Sequence, residues 1–167
     1  FKFDMQDLVS RYHFLQKLFT DEFSFDEEIT AEEQISKALK GFINEGILVP
    51  DPQFADTFNL TSEGLRKLKW FAAFLIPFFE SYMTCLIFLE KEKTDKYDVK
   101  ERAKKLLSFG NKLYKRNQVV RKESLSLINY RNAVNYFAKN DINGSGDQER
   151  IDEYKEILNL LSRRISS

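Results

Sequence analysis

The chain has 167 residues and 43% hydrophobic content, which is enough to bury a core in one domain or in two small packed units. This composition excludes a disordered tail, and the single cysteine excludes an internal disulfide framework. The formal net charge is zero, yet residues 1–60 hold five Lys/Arg against twelve Asp/Glu and residues 61–167 hold twenty-one against fourteen. The first part is therefore acidic, at −7, and the second is basic, at +7.

Two amphipathic helices are predicted in the first third of the chain. In the first helix, apolar residues recur at three- and four-residue steps, at Leu8, Tyr12, Leu15 and Phe19. In the second, Thr30 precedes Glu33 by the capping-box spacing, which predicts a helix over residues 31–44. Gly46 follows as the residue expected to end that helix.

Two short strands are predicted next, near residues 47–49 and 57–60, on either side of the turn-rich residues 50–52. A further helix is expected to start at residues 61–63. This order of helix, β-hairpin and helix resembles the winged-helix module, which usually lays a helix in the major groove of DNA. The helix over residues 31–44, which would enter the groove, has a net negative charge together with Glu45 at its end, and this is the wrong sign for contact with a polyanion. It carries Glu32, Glu33 and Glu45 against Lys37 and Lys40. We therefore expect the winged-helix arrangement to have a packing role, with nucleic-acid binding as the alternative.

The most apolar part of the chain is residues 70–89, in which sixteen of twenty side chains are apolar. This is close to the length that spans a membrane. Pro77, Glu80 and Ser81 interrupt the stretch, and its flanks lack the one-sided basic excess that orients a spanning helix. We therefore expect a buried helix, kinked or restarted at Pro77, and not a span. Cys85 is expected to be a buried free thiol within it.

A charged linker at residues 90–96 is the predicted division of the chain. We expect a winged-helix-like helical unit over residues 1–90, ending in the kinked apolar helix, and a C-terminal helical unit over residues 97–167. The two are expected to pack together as one non-catalytic domain. The predicted fold class is mainly α, with the small hairpin near residues 47–49 and 57–60.

Three helices are predicted in the second unit. The first begins at Val99 and is expected to stop near Gly110, and the next is expected to be capped by Ser124. An exposed loop is predicted over residues 140–147. Apolar residues of the middle helix repeat at helical spacing, at Leu127, Tyr130, Ala133, Val134 and Phe137. The last helix has the alternating spacing of a coiled-coil seam, at Ile151, Tyr154, Leu158, Leu161 and Ile165. We expect this seam to pack onto the domain, with a homodimer seam as the alternative.

A basic segment over residues 100–122 is the strongest electrostatic feature, because nine Lys/Arg face the single acid Glu101. It predicts an anion-binding surface, which would suit anionic lipid headgroups or a nucleic-acid backbone. The alternative is a solvated helix face that balances the acidic first part. The candidate contact residues are Lys104, Lys105, Lys112, Lys115, Arg116 and Arg121.

Residues suited to catalysis are sparse. The single histidine, His13, lies in a predicted helix far along the chain from Cys85, so the two make poor partners for a metal or for nucleophilic chemistry. The sequence has no zinc-site spacing and no glycine-rich phosphate loop. We therefore predict no catalytic residue, no metal site and no cofactor in this chain.

Three blocks of sequence resemble one family, the C-terminal region of glycerol-3-phosphate and dihydroxyacetone-phosphate acyltransferases. They are residues 12–25 (YHFLQKLFTDEFSF), residues 77–82 (PFFESY), and residues 121–126 (RKESLS) leading to residues 132–134 (NAV) and Phe137. Their order and spacing match the family as well. The first two blocks are the more specific, and the third is looser.

The resemblance implies a parent enzyme that transfers a fatty acyl group from acyl-CoA or acyl carrier protein to glycerol-3-phosphate or dihydroxyacetone phosphate in phospholipid biosynthesis. The family's catalytic signature is a His and an Asp separated by four residues, but Leu18 stands at that position after His13. No catalytic residue can therefore be carried over, and the resemblance implies a helical region downstream of the acyltransferase domain.

The same resemblance sets the expected partners and location. The expected partner is the acyltransferase catalytic domain of the same polypeptide, and an anionic membrane surface and an acyl carrier protein are further candidates. No nucleic acid is expected, and a homodimer stays open. The chain begins at Phe1 without an initiator methionine, so we expect a segment of a longer protein. We expect this segment to be soluble and peripheral at the cytoplasmic side of a membrane.

Overall fold

The computed structural model describes residues 4–26, 28–54, 57–91 and 97–166 of the chain. Helices account for most of these residues, and one two-stranded sheet accompanies them. The predicted fold class, mainly α with a small β-hairpin, is confirmed. The chain divides into two compact units, Phe1–Phe71 and Ala72–Ser167.

The first unit contains the helix, hairpin and helix expected from the sequence. Its elements are α1 (Met5–Leu18), α2 (Ala31–Asn44), β1 (Leu48–Pro50), β2 (Phe58–Leu60) and α3 (Ser62–Ala72). The strands β1 and β2 are antiparallel, with Leu48 opposite Leu60. Each strand therefore lies within one residue of its predicted position.

The ends of α2 follow the capping signals. The Thr30 hydroxyl accepts a hydrogen bond from the Glu33 amide at 3.3 Å, and the Glu33 carboxylate accepts one from the Thr30 amide at 3.1 Å. These two bonds form the predicted capping box. At the other end, Gly46 has φ +66°, and the Ile47 amide donates to the Phe42 carbonyl oxygen at 2.9 Å. This left-handed residue and its hydrogen bond close the helix as expected.

A close approach of backbone to backbone joins the hairpin to α3. Gly64 is buried in the first turn of α3, and a Cβ atom there would overlap the Ile47 carbonyl oxygen. The Thr61 hydroxyl caps the helix by accepting from the Gly64 amide at 2.9 Å, and it donates to the Gly46 carbonyl oxygen at 3.0 Å. These contacts position α3 on the start of β1. The unit's core is formed by Leu18, Phe19, Ala31, Ile47 and Leu48.

The second unit is built around one central helix. Its elements are a 3-10 turn (Ala73–Leu75), α4 (Ile76–Lys91), α5 (Val99–Lys115), a 3-10 turn (Lys122–Ser124), α6 (Leu127–Lys139), a 3-10 turn (Ser145–Asp147) and α7 (Gln148–Ser166). Helix α4 packs against α5, α6 and α7. The buried residues of α4 are Phe79, Ser81, Tyr82, Thr84, Cys85, Leu86, Phe88 and Leu89.

The helical run Ser62–Lys91 is long and apolar enough to cross a membrane by length and composition alone, with 44% of its most apolar window buried. The break expected at Pro77 is present, because the 3-10 turn Ala73–Leu75 separates α3 from α4. Proline removes a backbone donor and its ring crowds the carbonyl group four residues earlier. Burial of α4 among three helices agrees with the expectation of a core helix.

The two compact units divide the chain at a different place from the predicted division. The sequence places the division after residue 90, whereas the first unit ends at Phe71 and the second begins at Ala72. Helix α4 belongs with the second unit because its apolar side chains pack on α5, α6 and α7. Most of the predicted linker, residues 92–96, lies outside the described residues.

The predicted end of α5 at Gly110 is wrong. Helix α5 continues to Lys115, and Gly110 is a buried residue in its middle. A Cβ atom at Gly110 would overlap the Tyr130 hydroxyl of α6, so this glycine serves close helix packing. The left-handed residue that follows the helix is Asn117, with φ +56°, and the Gln118 amide donates to the Leu113 carbonyl oxygen at 3.0 Å.

The apolar seam of α7 packs within its own unit. Ile151 and Leu158 are fully buried, and the hydroxyl oxygens of Tyr154 and Tyr136 lie 3.1 Å apart. The loop predicted over residues 140–147 is less exposed than expected, because Ile142 is fully buried. Asp141 has φ +56° and allows the chain to turn back so that Ile142 enters the core.

An ion pair joins α4 to α7. The Glu90 carboxylate accepts hydrogen bonds from Lys155 Nζ at 2.7 Å and from Gln148 Nε2 at 3.1 Å. The hydrogen bond from Lys155 is the largest cause that lowers the pKa of Glu90 from its ordinary value of 4.5. Because the pKa of Glu90 is lowered in the folded state, this pair stabilises the unit at pH values above the ordinary pKa. Its contribution is lost as pH falls through the lowered pKa.

We expect Glu90→Gln to lower the free energy of unfolding by less than about 1 kcal/mol near neutral pH, since both side chains are partly solvated. Urea unfolding at several pH values measures this effect. The difference between variant and wild type should shrink as pH falls well below 4.5, the ordinary pKa. The control is Glu153→Gln on the exposed face of α7, for which we expect no such change. A difference for Glu90→Gln that is constant with pH would contradict the role of the ion pair.

Candidate anion-binding surface

The exposed face of α5 carries four of the six predicted contact residues. Arg102, Ala103, Leu106, Gly110 and Leu113 form the buried face of this helix. The exposed residues follow on the opposite side at helical spacing. They include Glu101, Lys104, Lys105, Ser108, Asn111, Lys112 and Lys115. The sequence pattern therefore places these lysines together on one solvated face.

The N-terminal end of this face is held by local contacts. Asp98 caps α5 by accepting a hydrogen bond from the Glu101 amide at 2.7 Å. Lys105 Nζ lies 3.6 Å from the centroid of the Tyr97 ring. A cation over an aromatic face is attracted by the ring quadrupole, so Lys105 has an ordered position beside the helix start.

The remaining two predicted residues, Arg116 and Arg121, are exposed in the segment that joins α5 to α6. Arg116 is the C-terminal cap of α5, directly before the left-handed residue Asn117. Arg121 precedes the 3-10 turn Lys122–Ser124. All six predicted contact residues are thus exposed cations of the second unit, on one helix and the segment that follows it.

The carboxylate of Glu80 holds this segment against α4. The amides of Val120 and Arg121 each donate to it at 3.0 Å, and the Ser124 hydroxyl donates to the same carboxylate. The neighbouring Ser81 hydroxyl lies 2.8 Å from the Ser124 carbonyl oxygen. Hydrogen bonds to a charged acceptor are among the stronger ones in proteins, so Glu80 fixes the backbone that carries Arg121.

The prediction that Ser124 caps α6 is wrong. Ser126 is the cap, because its hydroxyl accepts from the Asn129 amide at 3.3 Å. Ser124 lies two residues earlier, fully buried, with its hydroxyl directed to Glu80. Serine is a favoured cap residue, so the sequence alone does not distinguish Ser124 from Ser126. The contact of Ser124 with Glu80 of α4 makes the distinction.

A shallow groove lies beside the basic face, between α5 and α6. It has a volume of about 320 Å³ and an apolar floor formed by Ala103, Leu127 and Ile128. Three cations surround it, Lys100, Lys104 and Arg131. Leu127 belongs by its spacing to the apolar repeat of α6, but Leu127 and Ile128 are 45% and 61% exposed. The helix begins at Leu127, and its buried stripe starts only at Tyr130.

Sequence reasoning missed Arg131 and the two apolar residues of this groove. Lys100 was counted in the basic segment but not among the candidate contacts. The signal that could have found Arg131 and Ile128 is their spacing, since Leu127, Ile128 and Arg131 share one face at three- and four-residue steps. Their proximity to α5 is a tertiary feature that the linear pattern does not contain.

The two residues considered for catalysis are not among the residues of this surface. His13 is exposed on α1, with Nδ1 3.3 Å from Gln16 Oε1. Cys85 is fully buried in α4, and burial raises the pKa of its thiol, so it is poorly suited to act as a nucleophile. Within the described ranges, no three His, Cys, Asp or Glu residues are grouped as metal ligands would be.

A family model described as the glycerol-3-phosphate acyltransferase C-terminal region matches residues 1–145. Comparison with curated proteins and with solved structures gives no match. The matched range contains all three blocks of sequence that carry the resemblance, and two of these blocks meet where Glu80 and Ser81 contact Ser124. The match covers well over half of the chain. The chain therefore belongs to the family of glycerol-3-phosphate acyltransferase C-terminal regions.

Proposed function

We propose that this chain is the non-catalytic C-terminal domain of a glycerol-3-phosphate 1-O-acyltransferase and that it docks the enzyme on an anionic membrane surface. The parent enzyme would transfer an acyl group from acyl-CoA or acyl carrier protein to glycerol-3-phosphate or dihydroxyacetone phosphate. Family membership supports the acyltransferase context. The partner within the polypeptide would be the catalytic domain, and the location would be peripheral, at the cytoplasmic side of a membrane.

The observation that carries the docking role is the exposed basic surface of the second unit. It consists of the six cations Lys104, Lys105, Lys112, Lys115, Arg116 and Arg121. A basic residue near an anionic leaflet contributes about 1 kcal/mol of attraction, and the contributions of several residues add over a short distance. Because the opposite face of α5 is packed in the core, this surface is available as one side of a rigid helix.

The groove between α5 and α6 supports lipid as the partner in preference to a free anion. Leu127 and Ile128 expose apolar side chains beside Lys100, Lys104 and Arg131. A lipid offers the matching chemistry, with an anionic headgroup next to the first methylene groups of its chains. Surface binding of this kind combines electrostatic attraction with a small buried apolar area.

Nucleic-acid binding, the alternative that the sequence leaves open, is not supported by the arrangement of charges. The helix, hairpin and helix order lies in the first unit, where the candidate recognition helix and its C-terminal cap expose Glu32, Glu33 and Glu45 against Lys37 and Lys40. The basic surface lies in the second unit. The element expected to enter a DNA groove therefore has the wrong charge for that role.

Flotation of the 167-residue chain with phosphatidylcholine vesicles, with and without phosphatidylglycerol, tests the proposal. We expect binding that requires the anionic lipid and weakens with added salt. Changing Lys104, Lys105, Lys115 and Arg116 together to alanine should reduce the partition coefficient by up to about a thousandfold, since four charges at about 1 kcal/mol each amount to about 4 kcal/mol.

The matched control changes four exposed cations of the first unit to alanine, Arg11, Lys17, Lys37 and Lys40. It alters the net charge equally, so a specific surface predicts that this variant binds like wild type. Equal loss in both variants would show that only net charge matters and would contradict the assignment to α5. Retention on duplex DNA at low salt without flotation would favour the nucleic-acid alternative.

A further inference from the structure

The last turn of α3 exposes two large aromatic side chains. Trp70, the single tryptophan of the chain, is 78% exposed, and the adjacent Phe71 is 50% exposed. Aromatic residues usually lose most of their solvent contact on folding, and side chains of this size that stay exposed together often mark an interaction site. Neither residue belongs to the basic surface, which lies in the other unit.

Basic residues accompany both aromatics on the same face of α3. Arg66 precedes Trp70 by four residues and Lys67 precedes Phe71 by four, so each cation is a neighbour of one ring on the helix surface. Together with Glu45 they line an open groove of about 380 Å³. Arg66 and Lys67 each lie 3.9 Å from the Glu63 carboxylate, and the Arg66 side chain is 81% exposed. Such long, solvated ion pairs are weak, and the cations can turn to another anion.

The size of this patch argues against a protein partner. A stable protein interface buries about 800 Å² on each side, whereas a buried tryptophan or phenylalanine contributes about 150 to 250 Å². The exposed surface that Trp70 and Phe71 offer together is well below that area. A bilayer interface needs much less, because a few aromatic side chains at headgroup depth suffice to anchor a helix end.

We propose that Trp70 and Phe71 insert at the headgroup boundary of an anionic bilayer while Arg66 and Lys67 contact lipid phosphate groups. The indole ring suits this depth because it joins a large apolar surface to one N–H donor. This inference rests on the proposed function for its choice of a bilayer as partner. It assigns a second contact, in the first unit, that does not depend on the lysines of α5.

Fluorescence of the 167-residue chain tests this contact without a label, because all tryptophan emission comes from Trp70. Titration with vesicles of phosphatidylcholine and phosphatidylglycerol should shift the emission to shorter wavelength. Vesicles whose acyl chains carry bromine should quench it, since bromine quenches only at short range. Phe71→Ser should weaken the partition coefficient about five- to tenfold, as expected for one half-exposed aromatic side chain removed from the contact.

The control for that variant is Phe54→Ser, which removes another exposed phenylalanine of the first unit, outside the groove, and should leave the partition coefficient unchanged. Persistence of the shift and quenching in the variant of α5 with four alanines would support an independent contact at Trp70. Flotation of the chain with unshifted and unquenched Trp70 emission would overturn this inference while leaving the docking role of α5 in place. A shift that grows with protein concentration in the absence of vesicles would assign the patch to a second copy of the chain and would also overturn it.

Discussion

Replacing Glu80 by alanine is expected to destabilise the second unit by about 2 to 4 kcal/mol, since hydrogen bonds to a charged acceptor contribute about 1.5 to 3 kcal/mol each and the site is partly solvated. Three donors lose their acceptor in this variant, the amides of Val120 and Arg121 and the hydroxyl of Ser124. The Ser124 hydroxyl is affected most, because Ser124 is fully buried and a buried hydroxyl without an acceptor is costly.

Urea unfolding gives the size of this effect, and amide hydrogen exchange gives its location. In the variant, the amides of Val120 and Arg121 should lose protection more than those in the middle of α6. Glu123→Ala is the control, because Glu123 is an exposed glutamate of the same segment. Unchanged protection of these two amides in Glu80→Ala would show that the segment keeps its position without the carboxylate.

The loss of Glu80 should also reach the membrane contact. The segment it holds carries Arg121, one of the six cations of the basic surface. If the proposed docking is correct, Glu80→Ala should weaken flotation even though it removes a negative charge, which by itself would favour binding to an anionic surface. Loss of the position of Arg121 should weaken vesicle binding, whereas removal of a negative charge should strengthen it. The direction in which binding changes therefore shows which of the two effects is larger.

Replacing Gly110 by alanine is expected to destabilise the second unit by about 2 kcal/mol. Alanine favours a helix interior over glycine by up to about 1 kcal/mol, so the intrinsic preference acts in the other direction. The added Cβ atom would overlap the hydroxyl of Tyr130, whose side chain is fully buried. Overpacking of this kind typically costs about 1 to 3 kcal/mol, and the displaced α6 adds to it.

A double-mutant cycle isolates this contact. Tyr130→Phe removes the overlapping hydroxyl, so the variant with both changes should be more stable than the sum of the single effects predicts. Gly41→Ala is the matched control, because Gly41 is also within a helix but a Cβ atom there meets nothing within 4 Å. We expect Gly41→Ala to be neutral or stabilising, as measured by amide exchange in α2. Additive effects of Gly110→Ala and Tyr130→Phe would contradict the proposed overlap.

Local signals in the sequence predict those parts of the fold that depend on neighbouring residues. The ends of α2 were found from Thr30, Glu33 and Gly46, because each acts through hydrogen bonds within its own turn. The hairpin was found for the same reason, from short runs of strand-forming residues around a turn. In each case, a few residues along the chain determine the geometry.

The errors fall where a distant contact decides between two local possibilities. A glycine in a helical pattern can end the helix or allow another helix to pack closely against it. At Gly110 the close approach of Tyr130 on α6 shows that the glycine has the second role. Ser124 and Ser126 are equally suited to cap α6, and Glu80 on α4 engages the first of them. The compact units of the fold divide at Phe71 and Ala72 and not at the charged linker, since the linker is a local feature and the packing of α4 is not.

The candidate surface was predictable to a similar extent. Lysines of α5 could be placed on one face because helical spacing alone determines which residues are neighbours. The groove with Leu127, Ile128 and Arg131 could not, because it exists only where α6 lies against α5. The exposure of Trp70 was also hidden, since an apolar stretch shows which residues can be buried and not which ones are.

Cys85 lies at the centre of the second unit, fully buried on α4, with its thiol held in the protonated form by its surroundings. A thiol-labelling reagent can therefore reach it only when helices separate, and at such moments its reactivity returns to that of an ordinary cysteine. The rate of labelling in native buffer therefore reports the spontaneous opening of this unit. Since the chain has no other cysteine, that rate belongs to this helix alone.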